Sequence, residues 1–155
     1  MKIMFICTGN ICRSAMAHKL LEKKLEEKQI NDIQVYSSGI YAENGDTSTY
    51  NAIETMKEYG VDLKSHIATN IRNSEIDKMD LILCATLSHK REVLYLYPEL
   101  QGKVYTMKEY VGDDKETKDI SDPWGYDLTT YQRCALEINE ILDKLMEKIL
   151  NQKEN

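Results

Sequence analysis

The chain has 155 residues, of which 42% are hydrophobic and 30% are charged, and its formal net charge is −6. This length suits a single domain with a substantial core, which we expect to span residues 1–155. The acidic charge argues against nonspecific binding to nucleic acid or to a membrane surface, and no apolar run approaches the roughly 20 residues of a transmembrane helix.

The four cysteines are spread along the chain rather than clustered, which is typical of thiols kept reduced in a cytosol. The chain starts with an apolar segment that predicts a core strand, so we expect no cleavable signal peptide. Together these features predict a cytoplasmic protein.

The first predicted element is a buried strand over residues 2–7, because an apolar run fills its centre. The loop Cys-Thr-Gly-Asn-Ile-Cys-Arg-Ser follows at positions 7–14, and a helix is predicted from its end to about Lys28. A tight loop between a strand and a helix N-terminus forms an anion site. Its backbone N–H groups point inward, and the helix end adds positive potential.

The side chains of this loop suit phosphate binding and thiolate chemistry. Cys7 is expected to ionise readily in such a field, and Arg13 offers a planar fork that matches two phosphate oxygens. Gly9 allows the positive φ angle that a curled loop needs, and Ser14 can donate a hydrogen bond to the thiolate. The patterns of a nucleotide-binding loop, with its Lys, and of a zinc site, with a second Cys or His pair, are both missing here.

Strands and helices alternate along the remaining chain. Further strands are predicted at 33–37, 80–84 and 103–106, and further helices at about 49–59, from Asn73 or Ser74, at 87–96 and at about 129–150. This alternation predicts an α/β fold with a parallel sheet covered by helices on both faces. The Cys7 loop then lies at the carboxyl edge of the sheet, where such sheets bind ligands, and the segment after the fourth strand brings Asp122 to the same edge.

The sequence resembles the low-molecular-weight protein tyrosine phosphatase family over essentially its whole length. The matching motifs are Cys7, five residues and then Arg13-Ser14, together with Asp-Pro at 122–123. Ala15 departs from the family, which usually has Pro there. The resemblance implies a three-layer α/β/α fold of the phosphotyrosine protein phosphatase I type, with a four-stranded parallel sheet.

The implied reaction is hydrolysis of phosphotyrosine in proteins, and of small aryl phosphates, through a phosphocysteine intermediate. Cys7 is the expected nucleophile, while Arg13 and the loop N–H groups hold the non-bridging oxygens. Asp122 is the expected acid for the leaving phenolate and the later base for water, with Asp119 and Asp127 as alternatives. A metal ion would be redundant in this cationic cradle, so we expect no metal and no cofactor.

The expected partners are a phosphorylated protein substrate and, as ligands, inorganic phosphate or vanadate, with a monomer as the default state. The residues expected to contact the substrate or its phosphate lie in the loop and after the acid: Thr8, Gly9, Asn10, Ile11, Cys12, Ser14, Trp124 and Tyr126. Polar residues that support the loop by hydrogen bonds in the family are matched by Asn10, Ser14, Ser37 and His66. Asn10 can also hold a strained backbone conformation. His18 and His89 have no expected partner, and we assign both to the surface by default.

Cys12 has two interpretations. It can act as a resolving thiol that traps oxidised Cys7 in a reversible disulfide, as the family resemblance also implies, or it can simply pack the loop. Cys84 and Cys134 are expected to be buried and inert.

The main alternative function is protein-arginine phosphatase, because the segments 108–111 and 122–125 resemble that branch of the family. Ile11 favours phosphotyrosine, since the arginine branch has Thr at this position. Arsenate reductase would need two further cysteines near the third strand, where Cys84 is alone. A non-catalytic anion-binding module would need neither a nucleophile nor an acid.

Overall fold

A computed structural model describes residues 1–154 of the protein. The strands are β1 (Lys2–Cys7), β2 (Gln34–Gly39), β3 (Leu81–Cys84) and β4 (Val104–Thr106). The α-helices are α1 (Arg13–Glu27), α2 (Tyr50–Lys57), α3 (Leu87–Leu96), α4 (Met107–Tyr110) and α5 (Leu128–Glu154). Short 3₁₀ turns occupy Ile71–Asn73, Ile76–Lys78 and Pro98–Leu100. Within the described range, none of the helices has both the length and the apolar character needed to cross a membrane.

The four strands form one parallel sheet in the order β2-β1-β3-β4. In the register, Cys7 of β1 lies opposite Gly39 of β2, and Ile6 lies opposite Cys84 of β3. β3 in turn pairs with β4, where Cys84 faces Thr106. All four strands therefore end at the same edge of the sheet, and the loop after β1 has a neighbouring strand on each side.

Side chains of β1 alternate between two hydrophobic clusters, one on each face of the sheet. Ile3 and Phe5 belong to the larger cluster, which includes residues of α1 and α5. Met4 and Ile6 belong to the smaller cluster, which includes Val93 of α3. Because both faces of the sheet are covered, β1 is apolar at consecutive positions rather than at alternate ones. The expected three-layer α/β/α fold with a four-stranded parallel sheet is confirmed.

The elements differ from the predicted ones in two places. The helix expected from Asn73 or Ser74 is replaced by two 3₁₀ turns, because the extended backbone of Ser74 interrupts any longer helix. The short helix α4 is not predicted by the sequence pattern. It begins where the Thr106 hydroxyl accepts a hydrogen bond from the Glu109 amide at 3.0 Å, which caps a single turn.

β2 ends at Gly39, where the chain passes against the loop that follows β1. A Cβ atom on Gly39 would lie 2.6 Å from the carbonyl oxygen of Thr8 and 2.8 Å from the amide nitrogen of Asn10. Both partners are backbone atoms, so neither can move aside without moving the loop. The Tyr41 amide also donates to the Thr8 carbonyl at 2.9 Å. A glycine is needed here because the two segments approach too closely for a side chain.

We expect Gly39→Ala to displace the loop, lowering the free energy of unfolding by about 1–3 kcal/mol and weakening the binding of inorganic phosphate. Urea denaturation and isothermal titration with phosphate measure the two effects. Gly102→Ala is the matched control, because Gly102 has φ 93° and a Cβ atom added to it would meet no other atom within 4 Å. It should cost about 1–2 kcal/mol and leave phosphate binding intact. Equal phosphate affinity in both variants would contradict the prediction.

Candidate active site

Cys7 is the last residue of β1, and the N-terminal turn of α1 faces its sulfur atom. Cys7 is buried, the Ser14 N–H donates to Sγ at 3.4 Å, and Ser14 Oγ lies 2.9 Å from Sγ. Ser14 Oγ accepts a hydrogen bond from Asn10 Nδ2 at 2.8 Å, so its own hydroxyl proton remains available to the sulfur. Two donors and the positive end of α1 therefore converge on Sγ, an arrangement that stabilises negative charge there.

The positive φ angle of the loop lies at Asn10, which is expected to tolerate a strained backbone, and not at Gly9, where the sequence predicts it. Asn10 has φ 56°, whereas Gly9 is not among the residues with positive φ. The Asn10 side chain is fully buried, and its Oδ1 accepts a hydrogen bond from the Thr69 N–H at 3.0 Å. His66 Nε2–H donates to the Asn10 carbonyl at 2.8 Å. These contacts hold a backbone conformation that a non-glycine residue adopts only under constraint.

His66 contacts the loop directly, while Ser37 is connected to it only through His18 and His66. Burial lowers the pKa of His66, which keeps the ring neutral with Nε2–H as its donor. The edge of the His66 ring meets His18 at a centroid distance of 6.0 Å. Ser37 Oγ lies 2.7 Å from His18 Nδ1, so its side chain bonds His18 and not the loop. The surface position expected for His18 is therefore wrong, since its ring is largely enclosed between these partners.

Arg13 is buried, with an exposed fraction of 4%. Its Nη1 donates to the Ile120 carbonyl at 2.8 Å, and its Nη2 lies 3.6 Å from Asp122 Oδ2. Among residues 1–154, the buried Nε finds no hydrogen-bond partner. A buried cationic donor without a partner is costly, so this position suits an anion that enters the cleft and accepts from it.

Asp122 lies at the mouth of the same cleft, opposite Arg13. Its side chain is 51% exposed, and Oδ1 accepts a hydrogen bond from the Trp124 N–H at 3.1 Å. This bond fixes the carboxylate within the turn that Pro123 begins. The second oxygen, Oδ2, faces Arg13, and therefore the carboxyl group can approach an oxygen atom bound next to the guanidinium.

The two alternative acids are engaged elsewhere. Asp119 Oδ1 accepts from the Leu87 N–H at 2.8 Å, at the start of α3. Asp127 caps α5, since its Oδ1 accepts from the N–H and the hydroxyl of Thr130, and these bonds lower the pKa of Asp127. Neither carboxylate lines the cleft that holds Cys7.

The cleft has a volume of about 300 Å³. Its walls are formed by the loop, by the segment after β2 and by the turn after Asp122: Cys7, Thr8, Gly9, Ile11, Cys12, Arg13, Tyr41, Glu43, Asp46, Asp122 and Trp124. Trp124 thus reaches the cleft, while Tyr126 is not part of its lining. Two carboxylates at the rim, Glu43 and Asp46, were not anticipated, because single acidic residues in a loop give no sequence signal of a site.

Cys12 is buried inside the same loop. Its Sγ lies 3.3 Å from the Tyr131 hydroxyl and 3.6 Å from Thr49 Oγ1, and burial raises the pKa of the thiol. Cys12 is thus held as a neutral thiol close to Cys7, and both are unpaired. The other two thiols are also buried, and burial raises the pKa of Cys134 to about 12 and that of Cys84 further, which suits inert core residues.

His89 is buried, with an exposed fraction of 8%, and the expectation that it lies on the surface is wrong. Its Nε2 lies 2.9 Å from Thr8 Oγ1, and its Nδ1 lies 2.9 Å from Thr86 Oγ1. A residue two strands away along the chain thereby contacts the loop directly. The only sequence signal was its place three residues after Thr86, the capping residue of α3.

Residues 1–154 contain no group of three or more His, Cys, Asp or Glu side chains placed to hold a metal ion. The positive charge that faces the cleft comes from Arg13 and from the N-terminus of α1.

Comparisons with known proteins agree with this geometry. The family described as low molecular weight phosphotyrosine protein phosphatase matches residues 2–155. A protein-arginine-phosphatase of Geobacillus stearothermophilus is 33% identical, covering 96% of this chain and 95% of the relative. The low molecular weight protein-tyrosine-phosphatase PtpB of Staphylococcus epidermidis is 32% identical, covering 94% and 96%. The crystal structure of a low molecular weight protein tyrosine phosphatase from T. tengcongensis superposes with a TM-score of 0.88 at 38% identity, covering 96% and 99%.

We expect Ser14→Ala to slow the alkylation of Cys7 by iodoacetamide at neutral pH by about 10-fold to 100-fold, since a hydrogen bond to a charged group is lost. Ser38→Ala is the control, because Ser38 is also buried, but among the described residues its hydroxyl bonds only Met4 Sδ. Mass spectrometry of the labelled protein gives both rates. Similar rates for the two variants would argue against a thiolate stabilised by Ser14.

The charge state of His89 predicts a pH dependence of stability. Burial lowers its pKa to about 4, from 6.5 for an exposed histidine. As the pH falls below 6.5, the unfolded chain binds a proton at this ring while the native protein does not, so stability falls between pH 6.5 and about 4. In His89→Gln this part of the loss should disappear, as urea denaturation across this pH range will measure. An equal loss in both proteins would mean that native His89 binds its proton in the same pH range as the unfolded chain.

Proposed function

The chain belongs to the low molecular weight phosphotyrosine protein phosphatase family, and we propose that it hydrolyses phosphotyrosine in proteins through a phosphocysteine at Cys7. One observation supports the assignment most strongly. Cys7, Arg13 and Asp122 line one cleft, and the sulfur of Cys7 accepts hydrogen bonds from the first turn of α1. A nucleophile, an anion-binding cation and an acid are the three groups that this reaction requires.

In the first step, the Cys7 thiolate attacks phosphorus while the bond from phosphorus to the phenolic oxygen breaks. The phosphoryl oxygens lie against the loop N–H groups and against Arg13, whose unpartnered Nε is a donor for one of them. These donors are fixed by the fold, so they need little reorganisation as charge moves in the transition state. Asp122, in its protonated form, gives its proton to the leaving phenolate.

In the second step, water attacks the phosphocysteine and the bond from sulfur to phosphorus breaks. Asp122, now a carboxylate, takes a proton from the attacking water. The Cys7 thiolate is the leaving group, and the hydroxyl and amide of Ser14 stabilise its charge. The products are inorganic phosphate and the enzyme in its starting state. No step in this sequence needs a metal ion, because each developing charge has a partner in the protein. Arg13 and the loop N–H groups face the phosphoryl oxygens, Ser14 faces the thiolate and Asp122 protonates the phenolate.

Phosphotyrosine is the substrate that the walls of the cleft favour. Ile11 presents an apolar side chain there, and Tyr41 and Trp124 present aromatic rings. A flat aryl group can pack between such walls, whereas a shorter phosphorylated side chain would leave them without a contact. We further propose that the protein acts in the cytoplasm, where its four unpaired thiols stay reduced, and that it acts as a monomer.

Phosphoarginine is the second candidate substrate, and two observations favour it. Glu43 and Asp46 place carboxylates at the rim of the cleft, where a guanidinium group could pair with them. Relatives from Geobacillus stearothermophilus and Bacillus subtilis, 33% and 32% identical to this chain, are protein-arginine-phosphatases. We rank it second because Ile11 offers the guanidinium no hydrogen-bond acceptor.

The acid assignment is tested by the dependence of rate on the leaving group. With phenyl phosphate, whose leaving group is poor, Asp122→Asn should lower kcat by about 10²-fold to 10⁴-fold. With aryl phosphates whose phenol is a strong acid, the loss should be less than about 10-fold, because the leaving group then needs little protonation. Asp127→Asn is the control and should retain activity on both substrates.

Equal slowing of both substrates by Asp122→Asn would contradict its role as the acid. Cys7→Ser separates this question from the assignment as a phosphatase, because loss of the nucleophile should abolish turnover of every substrate. Turnover that survives in Cys7→Ser would overturn the proposed function itself.

Substrate choice is tested with matched peptides that carry phosphotyrosine or phosphoarginine at the same position. We expect the wild-type protein to have the higher kcat/KM on phosphotyrosine. Ile11→Thr should shift the ratio toward phosphoarginine, because it removes apolar contact with the ring and adds a hydroxyl acceptor. Glu43→Gln with Asp46→Asn is the companion variant, which should lower only the activity on phosphoarginine. A wild-type preference for phosphoarginine would make the second candidate correct.

A further inference from the structure

The loop that binds phosphate has a polar contact that the catalytic scheme leaves unused. Thr8, the first residue after the nucleophile, is exposed on the wall of the cleft. Its Oγ1 lies 2.9 Å from Nε2 of His89, a buried residue of α3. The other ring nitrogen, Nδ1, lies 2.9 Å from Thr86 Oγ1. Two hydroxyl groups are thus joined through one imidazole ring.

The hydroxyl groups of Thr86 and Thr8, on either side of the His89 ring, differ in the acceptors available for their protons. Thr86 Oγ1 already accepts the His89 backbone N–H at 3.1 Å as the cap of α3, and its only other polar contact among the described residues is His89 Nδ1. If Nδ1 carried the ring proton, the Thr86 hydroxyl proton would have no acceptor among the described residues. Thr8 differs from Thr86 because it is exposed and lines the cleft, so its hydroxyl proton can be donated to a bound ligand. The chain of donors therefore runs from Thr86 to His89 to Thr8.

We propose that His89 is a positioning residue that donates from Nε2 to Thr8 Oγ1 and so directs the Thr8 hydroxyl proton into the cleft. There it is an additional donor to a phosphoryl oxygen of the substrate. The Thr8 side chain, and not only its backbone amide, then becomes part of the phosphate site. This inference rests on the proposed function, in which the cleft binds a phosphorylated side chain.

The charges around His89 support a ring with a single proton. Burial is the main reason that its pKa lies near 4, and the positive charge of Arg13 lowers it further. Asp122, Asp119 and Glu92 act in the opposite direction, but less strongly. At neutral pH the ring is therefore neutral, so it donates from one nitrogen and accepts at the other.

His89 also lies on α3, which holds the segment that carries Asp122. A purely structural role of His89 must therefore be distinguished from the proposed orientation of the Thr8 hydroxyl. The Leu87 N–H, in the first turn of α3, donates to Asp119 Oδ1 at 2.8 Å. The Ile120 N–H donates to the Ala85 carbonyl at 2.9 Å, next to that turn. A substitution that merely loosens α3 would therefore disturb Asp122, and kinetics of one variant alone would be ambiguous.

The experiment combines four substitutions with direct observation of the ring. Thr8→Val removes the hydroxyl at constant shape, and Thr8→Ser keeps it. His89→Leu removes the donor, and His89→Gln keeps an N–H near the position of Nε2. We expect Thr8→Val and His89→Leu each to lower kcat/KM by about 10-fold to 100-fold and to weaken vanadate binding similarly. Thr8→Ser and His89→Gln should retain most of both.

Two further measurements distinguish a His89 that orients the Thr8 hydroxyl from a His89 that only packs under the loop. The double variant of Thr8→Val and His89→Leu should be no worse than either single variant, because both remove the same donor. Nitrogen-15 NMR of the wild-type protein should show His89 with its proton on Nε2. A proton on Nδ1, or full activity and vanadate affinity in Thr8→Val, would overturn the proposal.

The same set separates this inference from the proposed function. If the wild-type protein fails to hydrolyse any phosphorylated peptide, the function is wrong, yet the tautomer of His89 and the vanadate affinities of the variants still test the contact. If the protein is an active phosphatase and Thr8→Val is unimpaired, the function stands and the role given to His89 is wrong.

Discussion

The structure depends on a buried sulfur atom that accepts two hydrogen bonds. Cys7 Sγ receives the amide of Ser14 and faces its hydroxyl, and that hydroxyl is oriented because Asn10 Nδ2 already donates to it. Asn10, whose side chain orients that hydroxyl, has a left-handed backbone. The amide of Thr69 and the ring of His66 hold Asn10 in turn. The candidate nucleophile is thus fixed by a short series of buried polar contacts, each of which would be costly to leave unmade.

The order of the strands explains how these contacts can meet. Because β1 lies between β2 and β3, segments that follow both neighbouring strands lie next to the loop after β1. Gly39 at the end of β2 lies against its backbone, and His89 of α3, which follows β3, reaches Thr8. The segment after β4 and α4 completes the site, since Ile120 accepts from Arg13 and Asp122 faces the same guanidinium. The site is therefore a product of the whole sheet edge rather than of one loop.

Two groups of side chains compete to define the substrate. The apolar and aromatic walls, Ile11, Tyr41 and Trp124, suit a flat ring, whereas Glu43 and Asp46 at the rim suit a cation. In the proposed mechanism the chemistry at phosphorus is the same in both cases, because Cys7, Arg13 and the loop amides act on the phosphoryl group alone. In the proposed mechanism, the reaction and the substrate preference thus depend on different side chains. Cys7, Arg13 and Asp122 act on the bonds to phosphorus. Ile11 of the loop, together with the segments after β2 and after Asp122, forms the walls for the rest of the substrate.

The sequence alone determined the alternation of strands and helices, the parallel sheet and the loop from Cys7 to Ser14. These follow from local signals, namely apolar runs, helical periodicity and the spacing of a nucleophile and an arginine at a strand-to-helix junction. Only the tertiary structure decided that Asn10 and not Gly9 makes the left-handed turn, that Ser37 bonds His18, and that His89 is buried against Thr8. Each of these depends on a partner distant in sequence, and a single sequence contains no pattern that records which distant polar groups will meet when the sheet forms.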